Sequence, residues 1–273
     1  MRNLIQNFDS YIDLLDAFKH VIYTDRDHTY EINGKKAKYS VTKLLGKYKK
    51  PFDSDKFSKS VAKKEGVEQK TVLEKWDFTR DYANHKGTEF HLFVENYLER
   101  RKMMIDRKAI TNFFKSRPDF YFADSIDMYY REFAKLVSNF LKFYEWYKEE
   151  HILVKSEFVI GDEVSRIAGT LDNLSLNTKT HDLVIFDYKT NKKIEKENKY
   201  GEKLLNHLDH LDNCELNTYA LQLWLYKLII ERNTPFTVKD CNIFWFLGDN
   251  YEKFDIPDLK EEAQMILTLE TDK

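Results

Sequence analysis

Two cysteines, four prolines and eight glycines are all that 273 residues contain of the types that cross-link, break or loosen a chain. Cys214 and Cys241 are too few for a four-cysteine zinc or iron–sulfur site and lack the density of a secreted disulfide scaffold, so a reducing, intracellular setting is expected. No Gly- or Pro-rich linker divides the chain, and no internal repeat is evident. Long hydrophobic runs are also missing. The greasiest segment, Leu221 to Ile230, is interrupted by Gln222 and Lys227, and the first residues hold no apolar stretch of signal-peptide length, so no membrane span is expected. Neither sign of charge prevails: 44 Lys and Arg face 46 Asp and Glu, a formal charge of −2. That excludes a globally basic nucleic-acid coat and leaves room for local basic patches. What is abundant is apolar and aromatic side chain, 42% and 15%, enough to build a sizeable core.

Capping and periodicity predict the order of elements. Asp9 or Ser10 can open a helix to about His20, and Asn33-Gly34 is a hairpin signal between Tyr30–Ile32 and Ala37–Tyr39. Ser40 caps a short helix, and a second runs from Asp55 to Glu65 between Ser54 and Gly66. Helical pattern covers Glu68 to Lys102, with a break or tight packing point at Gly87, and 103–123 reads as irregular. A helix then starts at Asp124 or Ser125 and carries Tyr129, Phe133, Phe140, Phe143, Tyr144 and Tyr147, a core stripe or a stacking surface for bases. Strands follow near Ile152–Ile160, Arg166–Leu176 and Leu183–Lys189, then a helix from Glu215 to Glu231, a strand from Cys241 to Leu247 and a helix from Pro257 to Leu267. Residues 1–123 are expected to form a helical region with an amino-terminal hairpin, packed on a core of residues 124–273 as one unit.

The most informative stretch is 169–189. If Thr178–His181 is a hairpin loop, antiparallel counting sets Leu176 opposite Leu183, Leu174 opposite Ile185 and Asp172 opposite Asp187. Directly opposed carboxylates repel unless a cation sits between them, and a hard divalent ion is the natural occupant. Lys189, two residues beyond Asp187, shares its face. A lone Asp-x-Lys is ordinarily a solvated strand end. Here the run Val184, Ile185, Phe186 indicates a strand covered on both faces, so the charges border a core.

Four short patterns occur in order: Gly87-Thr-Glu-Phe-His91 on a helix, Gly169-Thr-Leu-Asp172 and Asp187-Tyr-Lys189 on strands, and Gln222-Leu-Trp-Leu-Tyr226 on the following helix. With them the chain resembles the RecB-like branch of the PD-(D/E)XK nucleases, which includes phage exonucleases and mitochondrial genome maintenance exonucleases. The resemblance implies an α/β (α+β) fold with a restriction-endonuclease-like mixed sheet, αβββαβ, behind a large amino-terminal helical region. It implies Mg²⁺ or Mn²⁺ held by His91, Asp172, Asp187 and the Tyr188 carbonyl, with Lys189 catalytic and Glu157 supporting the metal site or a water. Gln222 and Tyr226, four apart on one helical face, are implied to contact substrate or support the metal cluster. Lys193, in the lysine cluster after Lys189, is a candidate backbone contact. Glu95 is a weaker neighbour of the site, and His85 ranks below His91. The expected activity is a metal-dependent DNA exonuclease acting on linear or single-stranded ends in recombination, repair or phage DNA metabolism, with no iron–sulfur cluster and no membrane partner; the sequence names no protein partner. The alternatives are a catalytically inactive DNA-binding recombination subunit with the same fold, and a metal-dependent nuclease acting on RNA.

Overall fold

The computed structural model describes residues 11–102, 105–120 and 125–271, so the expected caps Asp9, Ser10 and Asp124 lie outside the described residues. Residues 11–16 are helical and lead into β1 (Val21–Thr24), which pairs antiparallel with β2 (Thr29–Ile32), itself paired with β3 (Lys35–Lys36). Asn33 and Gly34, at φ 52° and 70°, make the left-handed turn that their sequence announced. The continuation differs from expectation. β4 (Tyr39–Ser40) leaves this small sheet and pairs in parallel with a strand of the main sheet more than a hundred residues away, a contact that two residues cannot signal locally.

Ser40 caps α1 (Val41–Gly46) by accepting from the Lys43 N–H. α2 (Ser54–Glu65) is capped by Asp53, one residue before the expected Ser54, and ends at Gly66 with φ 67°. α3 (Gln69–Leu98) passes through Gly87 unbroken, so that glycine is a packing point and not a break. The stretch expected to be irregular contains α4 (Arg107–Lys115), opened by Asp106, whose side chain accepts from the Ala109 N–H. α5 (Ser125–Glu150) follows, then β5 (His151–Asp162), β6 (Ile167–Asn177) and β7 (Leu183–Lys189). α6 (Glu215–Asn233), β8 (Val238–Trp245), β9 (Glu252–Phe254) and α7 (Lys260–Thr271) complete the described chain.

The main sheet runs β4-β6-β7-β8-β9, with β5 paired to β6. β7 is buried on both faces: Leu183 and Ile185 join a cluster with α6 and α7, while Val184, Phe186 and Tyr188 join the aromatic side chains of α3, α4 and α5. The aromatic stripe of α5 is therefore core, since Tyr129, Phe133, Phe140, Phe143 and Tyr147 are buried there. None of the described helices is long and apolar enough to cross a membrane.

Candidate active site

The β6–β7 register is the one counted from the sequence: Leu176 faces Leu183, Leu174 faces Ile185 and Asn173 faces Phe186. The ladder then stops. Asp172 and Asp187 are not a ladder pair; Asp172 Oδ2 instead accepts the Tyr188 N–H at 2.7 Å. The hairpin parts where two like charges would have been forced together, and a charge-assisted hydrogen bond replaces the next rung.

This parting is part of a wider gap. Along one edge β6 is paired with β5 almost throughout, whereas along the other β7 takes residues 173–176 and β4 takes 167–168. Residues 169–172 lie between those partners. Gly169 is needed here because a Cβ would stand 2.6 Å from Tyr226 Cε1 of α6. Tyr226 is buried against it and receives a hydrogen bond from Gln222 at 2.9 Å. The Gly-x-x-Asp and Gln-x-x-x-Tyr patterns thus meet in space: the glycine admits the tyrosine ring, which backs the strand that presents Asp172.

From the opposite side comes Glu157. The β5–β6 register sets Ser156 opposite Asn173 and Phe158 opposite Leu171, which leaves Glu157 level with Asp172. Its φ is 44°, a left-handed conformation rare for a side-chain-bearing residue inside a strand and often found at functional sites. α3 delivers His91 to the same point, with Nδ1 3.5 Å from Asp172 Oδ1 and 3.6 Å from Glu157 Oε1. The helix can come this close because Gly87, one turn before His91, lies against Thr190, whose Oγ1 would be 3.3 Å from an added Cβ.

One ligand atom from each of His91, Glu157 and Asp172 falls within 4.8 Å of the others. Beside them Lys189 Nζ stands 2.6 Å from Asp187 Oδ2 and 4.5 Å from the centre of the Tyr219 ring. Asp187 is 2% exposed, and its Oδ2 has no donor aligned on it in hydrogen-bond geometry. The group opens to a cleft of about 760 Å³ whose walls include Tyr23, Tyr30, Gly87, His91, Glu157 and Lys189.

The electrostatics follow from this crowding. Burial disfavours a charged His91 ring, but the Asp172 and Glu157 carboxylates outweigh it and raise the pKa to about 10. Burial pushes Asp187 up to about 6, with Lys189 working against it. Asp172 is held below the usual carboxylate range, because the His91 charge, Lys189 and the Tyr188 N–H together outweigh its burial. Burial also disfavours the Lys189 ammonium, yet Asp187 and Asp172 keep its pKa above the ordinary value. An imidazole nitrogen and carboxylate oxygens converging within a few ångströms, with a buried carboxylate adjacent, form a donor set that suits a divalent cation.

Among the other candidates, Glu95 lines the cleft but its carboxylate is bonded to Arg101 at 2.8 Å. His85 is tied to the Tyr129 hydroxyl at 3.0 Å. Lys193 is not brought to the site: it pairs with Glu195 on a different surface. Tyr226 is 2% exposed and packs on Gly169, with Gln222 donating to its hydroxyl, so the structure brings this pair behind the strand of Asp172 and not to the cleft surface. Sequence reasoning missed Tyr219, although it precedes Gln222 by one helical turn and so shares its face. It also missed the cleft wall made by Tyr23 and Tyr30, for which strand-forming aromatics were the sole signal.

Among curated proteins nothing matches. A solved structure, that of a putative exonuclease from Eubacterium rectale, is similar at 11% identity and a TM-score of 0.37, over 69% of this chain and 64% of that one. The chain therefore spans less than two thirds of that structure's length. The sequence profile of the PD-(D/E)XK nuclease superfamily matches residues 66–270, a span that takes in α3, the three central strands and α6. By that match over most of its length, the chain belongs to the PD-(D/E)XK nuclease superfamily.

Proposed function

We propose that the protein is a divalent-metal-dependent deoxyribonuclease that works from the ends of linear DNA. The observation that carries this reading is the convergence of His91, Glu157 and Asp172 within 4.8 Å, beside the Asp187–Lys189 pair, at an open cleft that His91, Glu157 and Lys189 line. Superfamily membership supports phosphodiester hydrolysis of a nucleic acid; the resemblance to phage and mitochondrial exonucleases supports DNA and end dependence.

His91, Glu157, Asp172 and Asp187 would hold Mg²⁺ or Mn²⁺, with the Tyr188 carbonyl as a further donor, and the imidazole favours Mn²⁺ more than an all-oxygen site would. When bound, the ion supplies Lewis acidity toward the phosphate and lowers the pKa of water. The remaining tasks fall to the chain. Lys189, with its pKa raised, stays an ammonium at neutral pH, so it acts as a fixed positive charge beside the scissile phosphate and not as a base. Tyr219 lies under that ammonium and limits where it can swing. The Tyr188 N–H holds Asp172 in one orientation, which leaves its second oxygen toward His91.

The test is Lys189→Ala assayed for Mg²⁺- or Mn²⁺-dependent nucleotide release from linear DNA. The expected loss is on the order of 100- to 1,000-fold, the usual effect of deleting one transition-state charge partner. Rates equal to wild type, or cleavage that persists in a chelator, would sink the assignment. Asp187→Ala should abolish cleavage and keep DNA binding, since a negative charge near phosphate is removed. Parallel assays on single-stranded RNA and on circular DNA separate RNA cleavage and internal cutting from the proposed activity, and tight DNA binding with no cleavage in either metal identifies an inactive binding subunit.

A further inference from the structure

Away from the acidic cluster, an aromatic group stands in solvent. Phe52 is 66% exposed and Phe57 49% exposed, and their rings stack at 5.1 Å with an interplanar angle of 5°. Trp76 of α3 joins them at 5.8 Å from Phe52. Exposed rings of this size cost solvation unless something covers them. Gln69 donates to Asp55 Oδ1 at 3.0 Å and to Ser58 Oγ at 2.9 Å, tying α2, which carries Phe57, to the start of α3, which carries Trp76.

Two further observations indicate what covers it. Between Lys47 and Trp76, lysines outnumber acidic residues nine to five, in a chain whose formal charge is −2. An aromatic patch in a basic setting suits a polyanion that carries flat rings. The patch also shares a helix with the cleft. Ala83, Gly87 and His91 line the cleft, and Trp76 precedes them by 7, 11 and 15 residues, spacings that return to nearly the same face of one helix.

We infer that Phe52, Phe57 and Trp76 form a stacking platform for the single-stranded part of the nucleic-acid substrate, which runs along α3 from the cleft. The inference rests on the nuclease reading and extends it to substrate form. The 15 residues from Trp76 to His91 span about 22 Å at 1.5 Å per residue. At about 3.4 Å per stacked nucleotide that is roughly six nucleotides, so a strand shorter than this can occupy the cleft without reaching the platform.

The experiment compares wild type, Phe52→Ala/Phe57→Ala, Trp76→Ala, Trp76→Phe and Lys189→Ala on a single-stranded DNA 20-mer, a 4-mer and bis(p-nitrophenyl) phosphate. Binding of the labelled 20-mer is followed separately in a chelator, where nothing is cut. The platform predicts that the alanine variants bind the 20-mer and cleave it at low concentration roughly 5- to 150-fold less well per base lost from a ring, while turnover of the 4-mer and of the chromogenic diester is unchanged. Trp76→Phe should retain most of the 20-mer affinity. Unchanged 20-mer affinity in the alanine variants overturns the inference, as does an equal loss on all three substrates. So does a wild-type dimer that the double variant converts to a monomer, which would make the patch an interface between copies. Full activity in Lys189→Ala would overturn the nuclease reading instead, and the binding arm would still judge the platform.

Discussion

At Gly169 the effect of one methyl group can be reasoned through. A Cβ there would sit 2.6 Å from the Tyr226 ring, and the ring cannot move freely because it is buried with its hydroxyl held by Gln222. Gly169→Ala should therefore lower stability by about 1–3 kcal/mol, the range for overpacking a filled core, visible as a reduced denaturant midpoint. It should also shift Asp172, three residues on, and reduce cleavage more than Gln222→Ala does. A variant with wild-type stability would show that the ring has somewhere to go. At this scale the sequence was most legible where residue type is dictated by chemistry. His91, Asp172, Asp187 and Lys189, which the structure brings side by side, stood out in the sequence because they fall in short ordered patterns of metal- and phosphate-binding residue types. Asp172 and Glu157, by contrast, share a position across two strands that only the β5–β6 register reveals.

Between the paired strands and the aromatic layer lies a small polar group that no pattern announced. Asn173 Nδ2 donates to the Tyr188 hydroxyl at 3.0 Å, and the Tyr147 hydroxyl and Ser175 Oγ are 2.6 Å apart, all of them buried. These side chains fix β7 at the residue where its ladder with β6 ends. Asn173→Leu should cost about 1–3 kcal/mol in unfolding free energy, because buried hydroxyls lose their partner. If the group also positions Tyr188 beneath the site, cleavage should fall further than the small loss of folded protein explains. Unfolding midpoints equal to wild type would refute the argument. Elements with strong periodicity or clear turn chemistry, such as β5, β6, β7 and the Asn33-Gly34 turn, were legible. β4 and α4 were not, since one has two residues and pairs at long range, and the other, although Ile110 and Phe114 share its buried face, is nine residues and too short for its period to stand out.

For the molecule as a whole, the cluster carries an excess of charge that protons or a cation must balance. Without metal, His91 has a folded pKa of about 10 against an ordinary value of 6.5, so the stability it contributes is complete below pH 6.5 and is lost as pH rises toward 10. Asp187, at about 6 against 3.8, loses its contribution between those values in the same direction. Asp172, held low, has the opposite sign and matters below pH 4. The metal-free protein should therefore melt at progressively lower temperature from pH 5 to pH 9. Added Mn²⁺ must displace the His91 proton, and below about pH 6 the Asp187 proton too, so its stabilisation should grow with pH. Thermal melts with Mn²⁺ and with a chelator across pH 5–9 check this, and a metal-induced shift that is flat in pH would remove these groups from the metal site. Lys38 ends its reach on the 2.9 Å contact with Glu270, and that contact fastens β4, the partner of β6 beyond the gap, to α7. Residues separated by 232 positions must thus be present together before the wall beside Asp172 can set. A chain that has already made every acidic and basic group of the cluster still lacks this brace until α7 is made and docked, so the wall beside Asp172 closes late in folding.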